Sequence, residues 1–260
     1  MDRLSYSTFS VARVFMALAV FFCHVFEPFN DFGFLFVGVF FFMSGYGMEY
    51  RHLRTRALYR LVPLIFLFLF CSLVYWLVYS VFIYPSSWFF VVYFFLMVLY
   101  RFIRDFRLLV LSFLLLSFSF FYLDFSWGWS ASFGAFLFGV FFARRRSLFT
   151  LSSTLMLFPL VFLLSYLPSS FYLWFAVPLF AYLVFTFSSF SCLRFLACLA
   201  PFTVYFYSFH CFFLGLFRST WTLGGSPHFL GVLAAFLFTL FVCGLVWMIT
   251  VFLKDQSIIF

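Results

Sequence analysis

The chain has 260 residues, 67% of them hydrophobic and 8% charged, with a formal net charge of +8 and a mean hydropathy of +1.19. A soluble domain of this length has too little interior to hide that much apolar surface, so composition predicts an all-α polytopic membrane protein, one domain over 1–260, with no room for a sizeable soluble unit. The basic residues fall in short stretches between apolar segments, a topology pattern that argues against nucleic-acid binding despite the charge.

Ten apolar segments of roughly bilayer-crossing length follow one another: 9–29, 33–50, 61–84, 88–104, 108–123, 131–143, 147–167, 171–189, 195–217 and 228–252. The sixth is short, so either its ends lie elsewhere or it is partly re-entrant. With the N-terminus cytoplasmic, 13 of the 15 Lys and Arg residues fall on the cytoplasmic side. That asymmetry supports an even number of spans with both termini inside. Arg3, the apolar run and Ala17-Leu18-Ala19 imitate a signal peptide. The run continues to residue 29 and Arg13 interrupts it, so it reads as a retained first helix. The external connections are turn-like, except 220–227 with Gly224-Gly225-Ser226-Pro227. No internal repeat is evident, and any active site has to lie among the helices.

The first span carries two polar groups at membrane depth, where such groups are expensive and tend to be functional. Arg13 and His24 are eleven helical steps apart. That is a turn of about 1100°, roughly 20° past three full turns, and about 16 Å along the axis. Both side chains therefore share one face. Arg13 either snorkels to the cytoplasmic boundary or grips a phosphate or carboxylate. His24 either bonds a neighbouring helix or does proton chemistry, and Glu27, one turn on, either orients it or sits in the external interface.

The second span contains Gly38-Val39-Phe40-Phe41-Phe42-Met43-Ser44-Gly45-Tyr46. Its small residues favour close helix packing, and Ser44 and Tyr46 supply hydroxyls. A basic stretch follows, with Arg51, Arg54, Arg56 and Arg60 before Pro63. It sets topology, or receives a polyanion such as the nucleotide end of coenzyme A. The ninth span holds Thr203, Tyr207, Ser208 and His210, a second imidazole at membrane depth. His228 reads as a solvated loop residue, and Trp127, Trp129 and Trp221 as an interfacial belt. Many of the 54 Phe read as apolar filler. The six cysteines show neither C-x-x-C nor zinc-ligand spacing; they read as small buried thiols, and no metal site is expected.

Taken in order, these elements resemble the acyltransferase family 3 membrane proteins, O-acetylase-like enzymes that modify cell-surface sugars. The resemblance rests on R-x10-H (Arg13, His24), the glycine–valine–aromatic–Ser-Gly run, the Arg60-Leu61-Val62-Pro63 step, and S/T-x-x-x-Y-x-x-H (Thr203, Tyr207, His210). Trp88 and residues 133–139 are weaker echoes. It covers nearly the whole chain, although the chain is shorter than most members and Val14 follows Arg13 where a glycine is common. The resemblance implies transfer of an acyl group, usually acetyl, from cytoplasmic acyl-coenzyme A (acetyl-CoA) to a hydroxyl of a glycan or lipid-linked sugar. No permanently bound cofactor is implied, and the location is a bacterial inner membrane, with lipid as the surrounding partner. His24 would be the catalytic imidazole, acting as general base or transient acyl carrier, with Glu27 in support. Arg13, Arg56 and Arg60 would hold the coenzyme with Ser44 and Tyr46, while Tyr207, Ser208 and His210 would line the substrate cavity. A transporter or flippase of glycan intermediates is the alternative reading, and a non-catalytic scaffold a third.

Overall fold

The protein is represented by a computed structural model that describes residues 6–26, 33–51, 58–59, 61–80, 87–122, 127–145, 155–156, 158–166, 172–220, 222–223, 226–227 and 229–255. These residues form ten α-helices: α1 Tyr6–Val25, α2 Gly33–Tyr50, α3 Leu61–Tyr79, α4 Ser87–Phe102, α5 Phe106–Tyr122, α6 Trp127–Arg144, α7 Phe158–Ser165, α8 Tyr172–Ser188, α9 Thr203–Thr220 and α10 Phe229–Asp255. Each expected apolar segment holds one of them. Among the described residues, four stretches are long and apolar enough to cross a membrane: Tyr6–Val25, Leu61–Tyr79, Ser191–Phe217 and Phe229–Ile249. Shorter apolar helices accompany them. The one strand pairing among the described residues is the two-residue antiparallel ladder of β1 Thr222–Leu223 and β2 Ser226–Pro227, between α9 and α10.

One expectation is settled and another changes. The sixth segment, whose ends the sequence leaves open, is a helix of 18 residues that continues back through Ser130 to Trp127. The ninth is not one helix. Ser191–Phe202 is a 3-10 helix that gives way to α9 at Thr203, whose amide donates to the Ala200 carbonyl. Pro201, with no amide hydrogen to offer, sits at this change of winding. Of the seventh segment, the described part is chiefly α7.

The burial pattern is that of a bundle with an apolar exterior. In α1, 61% of the span is buried, against 22% in α10, which places α1 at the centre and α10 at the rim. Phe66, Phe70 and Trp76 of α3, Leu111 and Leu115 of α5, and Phe238 and Phe241 of α10 are exposed. In water such a surface would aggregate; against lipid it is solvated. Two exposed hydroxyls of α5 are returned to their own backbone: Ser112 and Ser119 donate to the Leu108 and Leu115 carbonyls, each at 2.8 Å. Asp105 caps α5, accepting from the Arg107 amide at 2.7 Å.

The scaffold around α1 is set by the contact of α2 with α6. A Cβ on Gly45 would overlap the Phe136 carbonyl, and one on Gly139 would overlap the Phe42 carbonyl, so each glycine admits the other helix's backbone. Gly38 likewise meets Val177 of α8. At the C-terminal ends, Glu49 of α2 accepts from the Tyr100 hydroxyl of α4 and pairs with Arg144 of α6 at 2.8 Å. The Arg144 guanidinium also lies 4.7 Å from the Phe106 ring centre. Three consecutive even-numbered helices thus end at one face of the bundle.

Candidate functional site

Helix α1 buries Val11, Ala12, Ala17, Val20 and Phe21 against its neighbours but leaves Arg13 and His24 exposed. Arg13 stands in the wall of two cavities. One, of about 190 Å³, lies between α1, α2, α3, α4 and α9 and is lined by Arg13, Phe40, Ser44, Tyr93, Thr203 and Tyr207, among others. The other, of about 300 Å³ and more polar, opens beside the first turns of α1, where Tyr6, Ser10, Tyr46, Tyr50 and Arg51 join Arg13. Arg13, Met43, Ser44 and Tyr93 belong to both walls. Arg51 is exposed, its guanidinium 5.8 Å from the Tyr6 ring centre. Two cations at one polar mouth favour an anion there.

His24 lies one helix face along, at the other end of α1, and meets α9. Its ring stacks on that of His210, with centroids 5.3 Å apart and planes 28° from parallel. His210 is 1% exposed, enclosed by Phe21, Phe206 and Tyr207. Its Nδ1 lies 3.1 Å from the Phe206 carbonyl oxygen. A carbonyl only accepts, so Nδ1 carries the proton and Nε2 presents its lone pair. The Cys211 thiol donates to that Nε2 at 3.2 Å. One donor atom each from His24, His210 and Cys211 lie within 4.8 Å of one another.

Tyr207 connects the two halves. It lines the smaller cavity with Arg13, and its ring centre is 5.5 Å from that of His210 and 4.7 Å from that of Phe89. The helical period explains the connection: His210 follows Tyr207 by three residues, so both share a face of α9.

The expected residues therefore divide. Arg13, Ser44, Tyr46 and Tyr207 meet around the cavities, and His24 meets His210. Ser208 is fully buried, its hydroxyl donating to the Val204 carbonyl at 2.8 Å within its own helix. Glu27, Arg56 and Arg60 lie outside the described residues. Three residues escaped selection as site members: Arg51, Tyr93 and Cys211. Arg51 opens the basic stretch and Cys211 adjoins His210, signals that were available. Tyr93 is one of 15 tyrosines and nothing distinguished it. The cysteines are also not uniformly buried: Cys192 and Cys198 are exposed on the 3-10 helix and Cys211 is half-buried, while Cys23, Cys71 and Cys243 are buried. A wall of lipid satisfies a thiol as well as a protein core does, so hydrophobicity alone does not place it.

No family model matches the chain, and no curated protein or solved structure is similar to it.

Proposed function

We propose that the chain is a membrane O-acyltransferase that takes an acyl group, acetyl in the simplest case, from acyl-coenzyme A and delivers it to a hydroxyl of a glycan or lipid-linked sugar, in a bacterial inner membrane. The observation that carries this reading is the continuity from Arg13, through the cavity wall of Ser44 and Tyr207, to the stacked pair His210 and His24. An anion site and an imidazole about 16 Å apart on one helix match a donor whose charge and reactive carbon sit at opposite ends of a long arm. The phosphates stay near Arg13 and Arg51 at the polar mouth, and only the thioester goes inward, which avoids the cost of burying phosphate in hydrocarbon.

The chemistry needs one base. The acceptor hydroxyl oxygen attacks the thioester carbonyl while its proton passes to the free nitrogen of His24. The tetrahedral centre then expels the coenzyme thiolate, which takes that proton, leaving an ester and free coenzyme. His210 holds the His24 ring by stacking and is itself held by the Phe206 carbonyl, a positioning role.

Membranes containing the protein, fed labelled acetyl-coenzyme A and a panel of surface glycans, test this beside a His24→Ala version present at the same level. Label on a glycan with the unaltered protein alone is the expected result. Equal labelling by both, or none by either, overturns the reading and favours a transporter of glycan intermediates.

A further inference from the structure

The geometry points to a second capacity at the far end of α1: His24, His210 and Cys211 form a binding site for a thiophilic transition-metal cation, of which Zn²⁺ is the type. The inference does not rest on the transferase reading, and the two are alternative states of one ring: an ion bound to the His24 lone pair occupies the nitrogen that would act as base.

Three features support it. The donors are two imidazoles and one thiol within 4.8 Å of one another, with no carboxylate among them. That set suits Zn²⁺ or Cu⁺ and is wrong for Mg²⁺ or Ca²⁺, which take oxygen. The second feature is the orientation of His210. Its Nδ1–H donates to the Phe206 carbonyl at 3.1 Å, the outer-shell arrangement that fixes the tautomer of a metal-binding histidine and aims the Nε2 lone pair outward. The third is that this lone pair already meets a displaceable proton. Cys211 Sγ–H is 3.2 Å from Nε2, and the ion replaces the proton between them. A tetrahedral zinc with bonds of about 2.0–2.3 Å sets its donors roughly 3.5 Å apart, so His210 and Cys211 are near their required separation. The remaining approach falls to His24, whose ring stands on an exposed position.

The balance is simple. Zn²⁺ displaces the thiol proton, which leaves to solvent, and forms bonds to the thiolate and two neutral imidazoles. Three protein ligands leave a fourth position open on the His24 side, where water or hydroxide completes the tetrahedron. With hydroxide bound, the centre carries no net charge, which is what its depth among apolar helices demands.

Co²⁺ is the probe, because a thiolate–cobalt bond gives an intense near-ultraviolet band and tetrahedral geometry gives visible bands. Titration of the purified, reduced, detergent-solubilised protein is expected to show both at one ion per chain. Cys211→Ser is expected to remove the near-ultraviolet band. His24→Ala is expected to keep it but weaken binding by at least the roughly 10–100-fold that even an outer-shell loss costs. His24 stands on an exposed position, so this second variant answers the question if Cys211→Ser fails to fold. The pair Cys192→Ser and Cys198→Ser, which removes the exposed thiols, is expected to change nothing. Absence of a thiolate band in the unaltered protein, or its loss with Cys192 and Cys198, overturns the proposal. So does unchanged affinity in His24→Ala. None of these readouts depends on acyl transfer, so failure here leaves that reading standing, and the reverse.

Discussion

His24 of α1 and His210 of α9 stack with their ring centres 5.3 Å apart, although one ring is exposed and the other 1% exposed. The asymmetry assigns different work to the two. The enclosed ring has both nitrogens engaged, by the Phe206 carbonyl and the Cys211 thiol. The exposed ring has the open side. On the proposed transferase reading, proton chemistry falls to His24, and His210 supplies the surface against which it is held.

That division predicts unequal mutants. His24→Ala removes the base and is expected to lower kcat by about 10²–10⁴-fold, the usual contribution of a positioned acid or base. KM for the coenzyme should stay unchanged, since the phosphates are held elsewhere. His210→Phe keeps an aromatic surface of similar size and is expected to lower kcat by about tenfold only, with a thermal midpoint close to that of the unaltered protein. Steady-state kinetics on both variants check this. Equal losses would mean that both imidazoles act on the substrate.

Arg13 and Arg51 predict the opposite split. Each contributes charge at the polar mouth, and a charge-assisted hydrogen bond is worth about 1.5–3 kcal/mol, so Arg13→Ala is expected to raise KM for acyl-coenzyme A by roughly 10–100-fold. Arg13→Lys should recover part of that loss, because an ammonium keeps the charge but not the bidentate fork. Arg51→Ala, nearer the opening, should cost less. Competition by coenzyme A lacking an acyl group measures the same term without turnover; an unchanged inhibition constant in Arg13→Ala would remove the arginine from the donor site.

Much of this arrangement was visible in the chain. The shared face of Arg13 and His24 follows from eleven steps of a 3.6-residue helix, and the positions of Tyr207 and His210 from three. The glycines of the second span announced close packing, and Gly45 does lie against a backbone carbonyl. What stayed hidden depends on tertiary pairing. Nothing local says that His24 meets α9, and so nothing says that Cys211, harmless beside one histidine, stands beside two. Tyr93 reaches the cavity through the placement of α4 against α1 and α2, which no local pattern in α4 specifies. The 3-10 winding of Ser191–Phe202 was equally invisible: an apolar run has the same composition whether its hydrogen bonds close over three residues or four.

The α2–α6 contact predicts a stability effect separable from chemistry. Gly139→Leu drives a side chain into the Phe42 carbonyl, and Gly45→Leu into that of Phe136. A backbone cannot rotate aside as a side chain can, so each change is expected to cost at least the roughly 1–3 kcal/mol typical of overpacking. Yield of folded protein and the thermal midpoint in detergent should fall together. Gly47→Ala, where nothing outside α2 lies within 4 Å of the added Cβ, is the control and should lower neither. A tolerated Gly139→Leu would mean that α2 and α6 do not approach this closely.

Glu49 gives a last test, one turn beyond Gly45 at the C-terminal end of the same helices. Its carboxylate accepts from the Tyr100 hydroxyl and pairs with Arg144, whose side chain is 33% exposed against 16% for Glu49. The half-open ion pair contributes little by itself, because solvent screens it. The Tyr100 contact matters more, since that residue is 1% exposed and a buried hydroxyl without a partner costs about 1–3 kcal/mol. Glu49→Gln keeps an acceptor for Tyr100 and gives up the charge, so it should lower the thermal midpoint only slightly. Glu49→Ala removes both and should lower it more. Raising the salt concentration should narrow the gap between the unaltered protein and Glu49→Gln while leaving the Glu49→Ala deficit largely in place. If Gln proves as damaging as Ala, the ion pair and not the tyrosine holds α2, α4 and α6 together at this end.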